Sequence, residues 1–478
     1  MKDCPVLEVV DLWVRYPYGD WVLRGVDLRV CRGERVLIIG ETGSGKTTLA
    51  RAITGLAKTI YECDVRGRVL LNGVDVSEKG HEILAQSVAL IGQNPYLYFV
   101  EPLVGDDIYD YALKVYGDEQ SARNAFDKAL DSTGVRGLTQ RYFFEISGGE
   151  ARRALVTKAL VSNPSLFVFD EPLMWLDDRG VEDFVKLFEV LKGLERTAII
   201  FEHRFVPLLR HVDKVYALKR GKLIEATDRA LSTFEIPSRQ RLHGSCLEKK
   251  VNSEDLLIEV RDVYFKYDIK GDYLLKGVNM QLHRGDAVMI YGLNGQGKTT
   301  LLKILAGHLK PNKGRVSRKA SVLYIPQNIA LFYTESTIEK EVLEIFKARG
   351  MRAKVELGLN IVRELDLDLL SSPFAMSYGQ MVKLAVGLAT ALDVDVLLLD
   401  EPFSGLTYED RLKLLKQLSQ SKATVVVATS NLDAVGAPYW TKLYKLEGGR
   451  LVEMEAVGTM SLIDASRLYR EIVGVEGA

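Results

Sequence analysis

The pattern Gly-x-x-x-x-Gly-Lys-Thr occurs twice in this chain, each time where a strand-forming run gives way to a helix-forming one. The first copy, Gly40-Glu41-Thr42-Gly43-Ser44-Gly45-Lys46-Thr47-Thr48, follows the apolar run 35–39. The second, Gly292-Leu293-Asn294-Gly295-Gln296-Gly297-Lys298-Thr299-Thr300, follows 287–291. That context is what a phosphate-binding loop needs. Glycines let backbone N–H groups turn inward around a phosphate, and the helix N-terminus adds positive potential. The lysine reaches the outer phosphates, and the hydroxyl of Thr47 or Thr299 can hold Mg²⁺. Two chance glycine-rich turns in this context are a negligible alternative, so the chain is expected to bind nucleoside triphosphates at two places.

At 478 residues the chain is too long for one ordinary core. Its 63 basic and 64 acidic residues nearly cancel, which removes the electrostatic case for nucleic acid as a partner. No run of about 18 apolar residues is present, so no membrane span is expected. Residues 1–5 lack the apolar core of a signal peptide. Cys4, Cys31, Cys63 and Cys246 are scattered without a C-x-x-C pair, which fits a reducing cytosol and neither a disulfide framework nor a metal cluster.

The repetition extends beyond the loops. Gln93 corresponds to Gln327, Ser147 to Ser377, and Asp170 to Asp400, with the same serine-to-aspartate spacing in both copies. The second copy is shorter between lysine and glutamine and lacks part of the 71–81 stretch. A whole domain is duplicated, since a solenoid period would be far shorter. The expected division is 1–235, a linker 236–253 of weak periodicity, and 254–478, where the strand pattern of 7–14 begins again at 256.

Two buried-strand patterns end in acid pairs, Asp170-Glu171 and Asp400-Glu401, each followed by proline. Acids at the carboxyl end of a buried parallel strand sit beside the phosphate site of such folds. The first acid of each pair suits Mg²⁺, and the second is placed to act on an attacking water. Gln93 and Gln327 each follow a short strand, where a neutral amide can reach Mg²⁺ or water. Ser147-Gly148-Gly149-Glu150 and Ser377-Tyr378-Gly379-Gln380 each precede a helical pattern. A serine with glycine there makes an anion-binding end, although an ordinary N-cap has the same signature.

Together these residues resemble the ATP-binding cassette ATPases over essentially the whole chain. The resemblance implies an α/β fold: two tandem P-loop domains, each with a mainly parallel core sheet, an antiparallel β region and a helical subdomain near 94–160 and 328–392. It implies ATP hydrolysis with ATP and Mg²⁺ as cofactors. It supplies roles: loops 40–48 and 292–300 as Walker A, Gln93 and Gln327 as Q-loop residues, Asp170 and Asp400 with Thr47 and Thr299 at Mg²⁺, and Glu171 and Glu401 as catalytic acids. Ser147, Gly148, Gly149, Glu150, Ser377, Gly379 and Gln380 form the signatures. Tyr16 and Tyr267 are the candidates for stacking adenine, although strand aromatics are usually core. Two cassettes pair head to tail in this family, so the Lys46 site would borrow Ser377 and Gly379, and the Lys298 site Ser147, Gly148 and Gly149.

The copies differ where hydrolysis is controlled. His203 matches the family's switch histidine, whereas Ser430 holds that position in the second copy. Asp177 is replaced by Thr407, and a signature glycine by Tyr378. Glu202-His203-Arg204, and Gln93-Asn94-Pro95 followed by the acidic and aromatic stretch 96–107, look like the ATPase of energy-coupling factor transporters, which take up vitamins or transition-metal ions. That reading places the chain on the cytoplasmic face of the cell membrane, with a transmembrane scaffold and a substrate-binding component as partners. The acids Glu101, Asp106 and Asp107 then suggest a basic partner surface. Two alternatives stay open: a soluble paired-cassette ATPase acting on ribosomes, and the ATPase of a tandem-cassette sugar importer.

Overall fold

The unbroken apolar runs beside each glycine-rich loop become central strands of two largely parallel sheets. The computed structural model describes residues 5–41, 43–78, 84, 86–174, 176–226, 255–431 and 439–454. They fall into two units, 5–226 and 255–454. The linker expected at 236–253, together with Thr42 and Trp175, lies outside the described residues.

In the first unit the order is β1 (Pro5–Arg15), β2 (Trp21–Cys31), β3 (Arg35–Gly40), α1 (Lys46–Ile53), α2 (Leu56–Thr59), β4 (Asp64–Leu71), β5 (Val74–Asp75) and β6 (Val88–Ile91). Then come α3 (Val104–Tyr116), α4 (Glu119–Thr133), α5 (Gly148–Val161), β7 (Leu166–Asp170), α6 (Asp178–Gly193), β8 (Thr197–Glu202), β9 (Lys214–Lys219) and β10 (Lys222–Glu225). Strands β10-β9-β3-β8-β7-β6 form one sheet, parallel except for the edge strand β10. Every residue of β3, β7 and β8 is buried, as expected of a parallel sheet covered on both faces. An antiparallel sheet, β2-β1-β4-β5, packs into the same core through Leu7, Val9, Leu12, Leu28 and Val69. Helices α3, α4 and α5 bury a core of their own around Val104, Ile108, Phe126, Leu130 and Ala154.

The second unit repeats this plan with β11 (Leu256–Phe265), β12 (Leu275–His283), β13 (Ala287–Tyr291), α7 (Lys298–Ala306), β14 (Lys313–Arg318) and β15 (Val322–Ile325). It continues with α8 (Ile338–Ala348), α9 (Val355–Glu364), α10 (Tyr378–Ala391), β16 (Val396–Asp400), α11 (Tyr408–Gln420), β17 (Thr424–Thr429), β18 (Lys442–Glu447) and β19 (Arg450–Glu453). Its main sheet, β15-β16-β17-β13-β18-β19, has the strand order of the first. Its antiparallel sheet, β12-β11-β14, has three strands. The strand without a counterpart is β5, inside the 71–81 stretch that the second copy shortens.

The repeat reaches backbone detail. The β1–β4 ladder breaks register between Val10 and Trp13, and the β11–β14 ladder between Arg261 and Tyr264. At the break Asp11 and Asp262 take φ of 45° and 48°, opposite Gly67 and Gly314 at 83° and 82°. A Cβ on Gly67 would lie 2.2 Å from the carbonyl oxygen of Asp11, and one on Gly314 2.2 Å from that of Asp262. These bulges sharpen the local twist. Gly67→Ala is expected to cost more than about 3 kcal/mol in urea unfolding, combining left-handed strain with a backbone collision. Gly73→Ala, at φ 78° with nothing within 4 Å of the added carbon, should cost only the strain, about 1–2 kcal/mol.

Candidate functional site

In the first unit β3 delivers the chain into the glycine-rich loop, and Gly43 and Gly45 turn it with φ of 82° and 106°. Those angles suit glycine alone. Gly40 is pressed against its neighbours, since a Cβ there would meet Ser44 Oγ at 2.6 Å and Leu218 O at 2.7 Å. Lys46 starts α1 and curls back over the loop, donating Nζ–H to Gly40 O at 2.9 Å and Glu41 O at 3.0 Å. It is 4% exposed and lies 3.6 Å from Glu171 Oε1. A buried ammonium so placed favours an anion at the loop. Ser44 Oγ is buried in the same loop without a hydrogen-bond partner.

The acid pair follows from β7. Asp170 is the last strand residue and accepts from Thr47 Oγ1 at 3.3 Å. Burial and the adjacent Glu171 charge push the Asp170 carboxyl up to about 6. Glu171 turns sharply out of the strand at φ 50°, with its N–H bonded to Phe201 O at 2.8 Å. A non-glycine residue held in that region stores strain that the surrounding bonds must offset. Gln93 Nε2 donates to Glu171 Oε2 at 3.1 Å, and His203 Nδ1 lies 3.6 Å from Oε1. Burial opposes the Glu171 charge, but His203 and Lys46 outweigh it and lower the carboxyl to about 2. Glu171 is therefore a carboxylate at neutral pH.

The second unit builds the same frame with different side chains around it. Gly295 and Gly297 turn the loop at φ 77° and 98°. Lys298 donates to Gly292 O at 2.8 Å and Leu293 O at 3.2 Å, and pairs with Glu401 Oε1 at 3.2 Å. Thr299 Oγ1 donates to Asp400 Oδ2 at 2.7 Å. Glu401 repeats the positive φ, at 49°. At the position of His203, Ser430 offers its backbone N–H to Glu401 Oε2 at 3.0 Å. Without an imidazole, burial prevails over Lys298 and raises the Glu401 carboxyl. Burial likewise raises Asp400, whose Oδ1 has no hydrogen-bond partner. Among the described residues the Gln327 amide makes no bond comparable to that of Gln93.

The remaining expected residues are placed as follows. Tyr16 and Tyr267 contact the second threonine of each loop: Tyr16 Oη is 3.3 Å from Thr48 Oγ1, and Tyr267 Oη 3.0 Å from Thr300 Oγ1. Tyr267 is 65% exposed beside the loop. Tyr16 is partly buried and accepts from Arg51 Nη1 at 2.7 Å. Ser147 and Ser377 N-cap α5 and α10 in capping boxes. Glu150 Oε2 accepts from Ser147 N at 2.7 Å, and Gln380 Oε1 from Ser377 N at 2.9 Å. Each serine oxygen accepts from the N–H three residues on, which leaves its own proton for an anion. Gly148 and Gly149 open α5, and Gly379 lies in the first turn of α10.

Several contacts were not evident from the motifs. Tyr378 does not simply crowd the loop where it replaces a glycine. It donates its hydroxyl to Gln327 O at 2.8 Å, within its own unit. In the first unit Arg152 serves that carbonyl, donating to Gln93 O at 3.1 Å and to Met174 O at 2.9 Å. Asp177 and Thr407 are both N-caps, of α6 and α11, which explains why threonine can stand for aspartate. Glu202 is fully buried and accepts from the N–H groups of Leu173, His203 and Arg204. Arg204 donates to Leu176 O and to Asp178 Oδ1. The corresponding carbonyl, Leu406 O, is held instead by Arg411 Nε at 3.0 Å. Asp107 is also not part of an outward acidic face. It is 2% exposed, accepts from Val100 N and Glu101 N, and pairs with Lys158 at 2.8 Å.

Two such sites, each with loop, lysine, strand-end acid pair and glutamine, define a pair of P-loop nucleotidase domains. The family described as ABC transporter matches residues 23–174 and 275–404, more than half of the chain, and the chain belongs to that family. It is an ATPase with two cassettes; such domains bind ATP, generally with Mg²⁺. It is similar to a protein of Sulfurisphaera tokodaii named "Putative ABC transporter ATP-binding protein", 28% identical over 93% of this chain and 97% of that protein. A protein of the same name from Methanosarcina mazei is 26% identical over 94% and 88%. Among solved structures, cbiO1 of Clostridium perfringens, described as part of the ABC transporter complex cbiONQ, is 30% identical over 46% of this chain and 88% of its own, with a TM-score of 0.43. A complex of an archaeal ribosomal stalk protein and ribosome recycling factor shares the fold over 97% of this chain and 92% of its own, at 19% identity and a TM-score of 0.63.

Proposed function

We propose that the chain is the ATP-hydrolysing subunit of an importer for a vitamin or a transition-metal ion, acting on separate membrane subunits from the cytoplasmic face. Among the described residues no helix is long and apolar enough to cross a membrane, so the spans would belong to other chains. The relatives named for ABC transporters align along nearly their whole length, which supports a transport role. The Glu202-His203-Arg204 run supports the energy-coupling subclass.

In this reading the loops 40–48 and 292–300 take the triphosphates, and Tyr16 and Tyr267 pack against adenine. Thr47 with Asp170, and Thr299 with Asp400, would hold Mg²⁺, with Gln93 and Gln327 near it; the cation neutralises phosphate charge when bound. Glu171 polarises the attacking water, and His203 donates to the terminal phosphate. The two cassettes pair within the chain, each signature serving the other's nucleotide. ATP can drive work because it makes different contacts in the closed and open states.

One observation carries the coupling to a membrane partner. A groove of about 380 Å³ lies beside the Gln93 segment, lined by Leu84, Val88, Leu90, Tyr98, Leu155 and Lys158 among others. Tyr98 presses its hydroxyl against Gly92, where a Cβ would lie 2.3 Å away. The next residue is Gln93, whose amide holds Glu171. A short helix seated in the groove would thus act on the catalytic carboxylate through two contacts. Cysteines placed at Tyr98 or Leu331, 38% and 72% exposed, should cross-link to a multi-span membrane protein in native membranes. Capture of ribosomal proteins alone would reverse the assignment.

A further inference from the structure

The strand-end acid of the second unit carries a hydrogen bond that its counterpart lacks. Tyr324 in β15 donates its hydroxyl to Asp400 Oδ2 at 3.0 Å. The same oxygen accepts from Thr299 Oγ1 at 2.7 Å. In the first unit the matching residue is Leu90. The ladders establish the match: Leu90 pairs with Val168 two residues before Asp170, and Tyr324 pairs with Leu398 two residues before Asp400. The Tyr324 ring is set by an edge contact with His308, centroids 5.7 Å apart. Among the described residues Asp170 accepts from the threonine alone, at a long 3.3 Å, while Asp400 has one oxygen doubly donated and the other, Oδ1, buried without a partner.

We propose that Tyr324 sets the magnesium dependence of the second site, so that nucleotide is held there only at higher Mg²⁺ than the first site needs. This rests on the proposal that Lys298 and Asp400 form an Mg–ATP site. A carboxylate that already receives two hydrogen bonds on one oxygen has part of its charge compensated before any cation arrives. It gains less from Mg²⁺ than Asp170 does, and the tyrosine hydroxyl competes for the density that the cation would draw. Phenylalanine at 324 would keep the ring and remove only that donor. The two sites then differ in loading: the first fills at low Mg²⁺, and the second fills only when Mg²⁺ is more abundant.

The test uses the full chain with Lys46→Ala, which silences the first site. A fluorescent ATP analogue is held constant while Mg²⁺ is titrated, and bound Mn²⁺ is counted in parallel by electron paramagnetic resonance. Adding Tyr324→Phe should lower the half-saturating Mg²⁺ concentration about tenfold, since a hydrogen bond to a charged group is lost from the competition. In the Lys298→Ala chain, Leu90→Tyr should raise it at the first site, giving an arm independent of how Tyr324→Phe folds. Unchanged or raised half-saturation in Tyr324→Phe, with the analogue still bound, overturns the role of Tyr324 and leaves the site intact. Failure of the Lys46→Ala chain to bind analogue at any Mg²⁺ concentration overturns the second nucleotide site itself, and the inference with it.

Discussion

Glu171→Gln is expected to lower steady-state ATPase activity about 10²-fold or more, while Glu401→Gln leaves a substantial fraction, both measured as phosphate release at saturating Mg–ATP. Glu171 is ionised, held at about 2 with His203 and Lys46 outweighing its burial, and it is gripped by Gln93. An amide there removes both the charge and the base. At Glu401 burial outweighs Lys298 and raises the carboxyl, the opposite of Glu171. The second unit also lacks the imidazole: Ser430 supplies only a backbone N–H to Glu401. Loss of one donor to transition-state charge typically costs about 2.7–4 kcal/mol. Tyr378, the departure in the second signature, is partly absorbed by its bond to Gln327 O. The missing histidine is thus the more damaging of the two. Equal losses from the two substitutions, or a larger loss at Glu401, would show that the defects were ranked wrongly.

Lys46→Ala combined with Lys298→Ala should abolish binding of a fluorescent ATP analogue. Each ammonium is buried and held by two carbonyls of its own loop, already aimed where a phosphate would sit. Each also offsets a neighbouring glutamate, at 3.6 Å and 3.2 Å, so alanine leaves negative charge facing the phosphates. Either single substitution should halve the stoichiometry. Stoichiometric binding retained in the double variant would sink the two-loop assignment, provided circular dichroism shows the fold unchanged.

The frame of both sites was legible because its signals are local. Strand, glycine-rich turn and helix lie within twenty residues, and a run such as 35–39 reads as a strand buried on both faces. The shortening of the 71–81 stretch was legible too, but that it removes the counterpart of β5 and leaves a three-stranded sheet is seen only in the structure. Less legible were side chains that do one job from different positions. Arg152 and Tyr378 hold the carbonyls of Gln93 and Gln327, yet the repeat aligns Arg152 with Val382. Arg204 and Arg411 hold the carbonyls of Leu176 and Leu406, yet Arg204 aligns with Asn431. Tyr324 lay in plain view three residues before Gln327, but its target is 76 residues away and only the sheet register brings them together. Threonine for aspartate at 407 read as a loss, whereas the fold uses both residues as helix caps. Asp107 read as surface acid because composition does not reveal that two backbone N–H groups and Lys158 enclose it.

The central claim is that one chain holds two unequal nucleotide sites, one that turns over and one that retains. It is tested most directly by photolabelling with an azido-adenine ATP during steady-state hydrolysis, followed by proteolytic separation of the two halves and mass measurement of the attached nucleotide. Mostly diphosphate is expected on the half containing Tyr16 and Lys46, and mostly triphosphate on the half containing Tyr267 and Lys298. Diphosphate in equal proportion on both halves, or confined to the second, would contradict it.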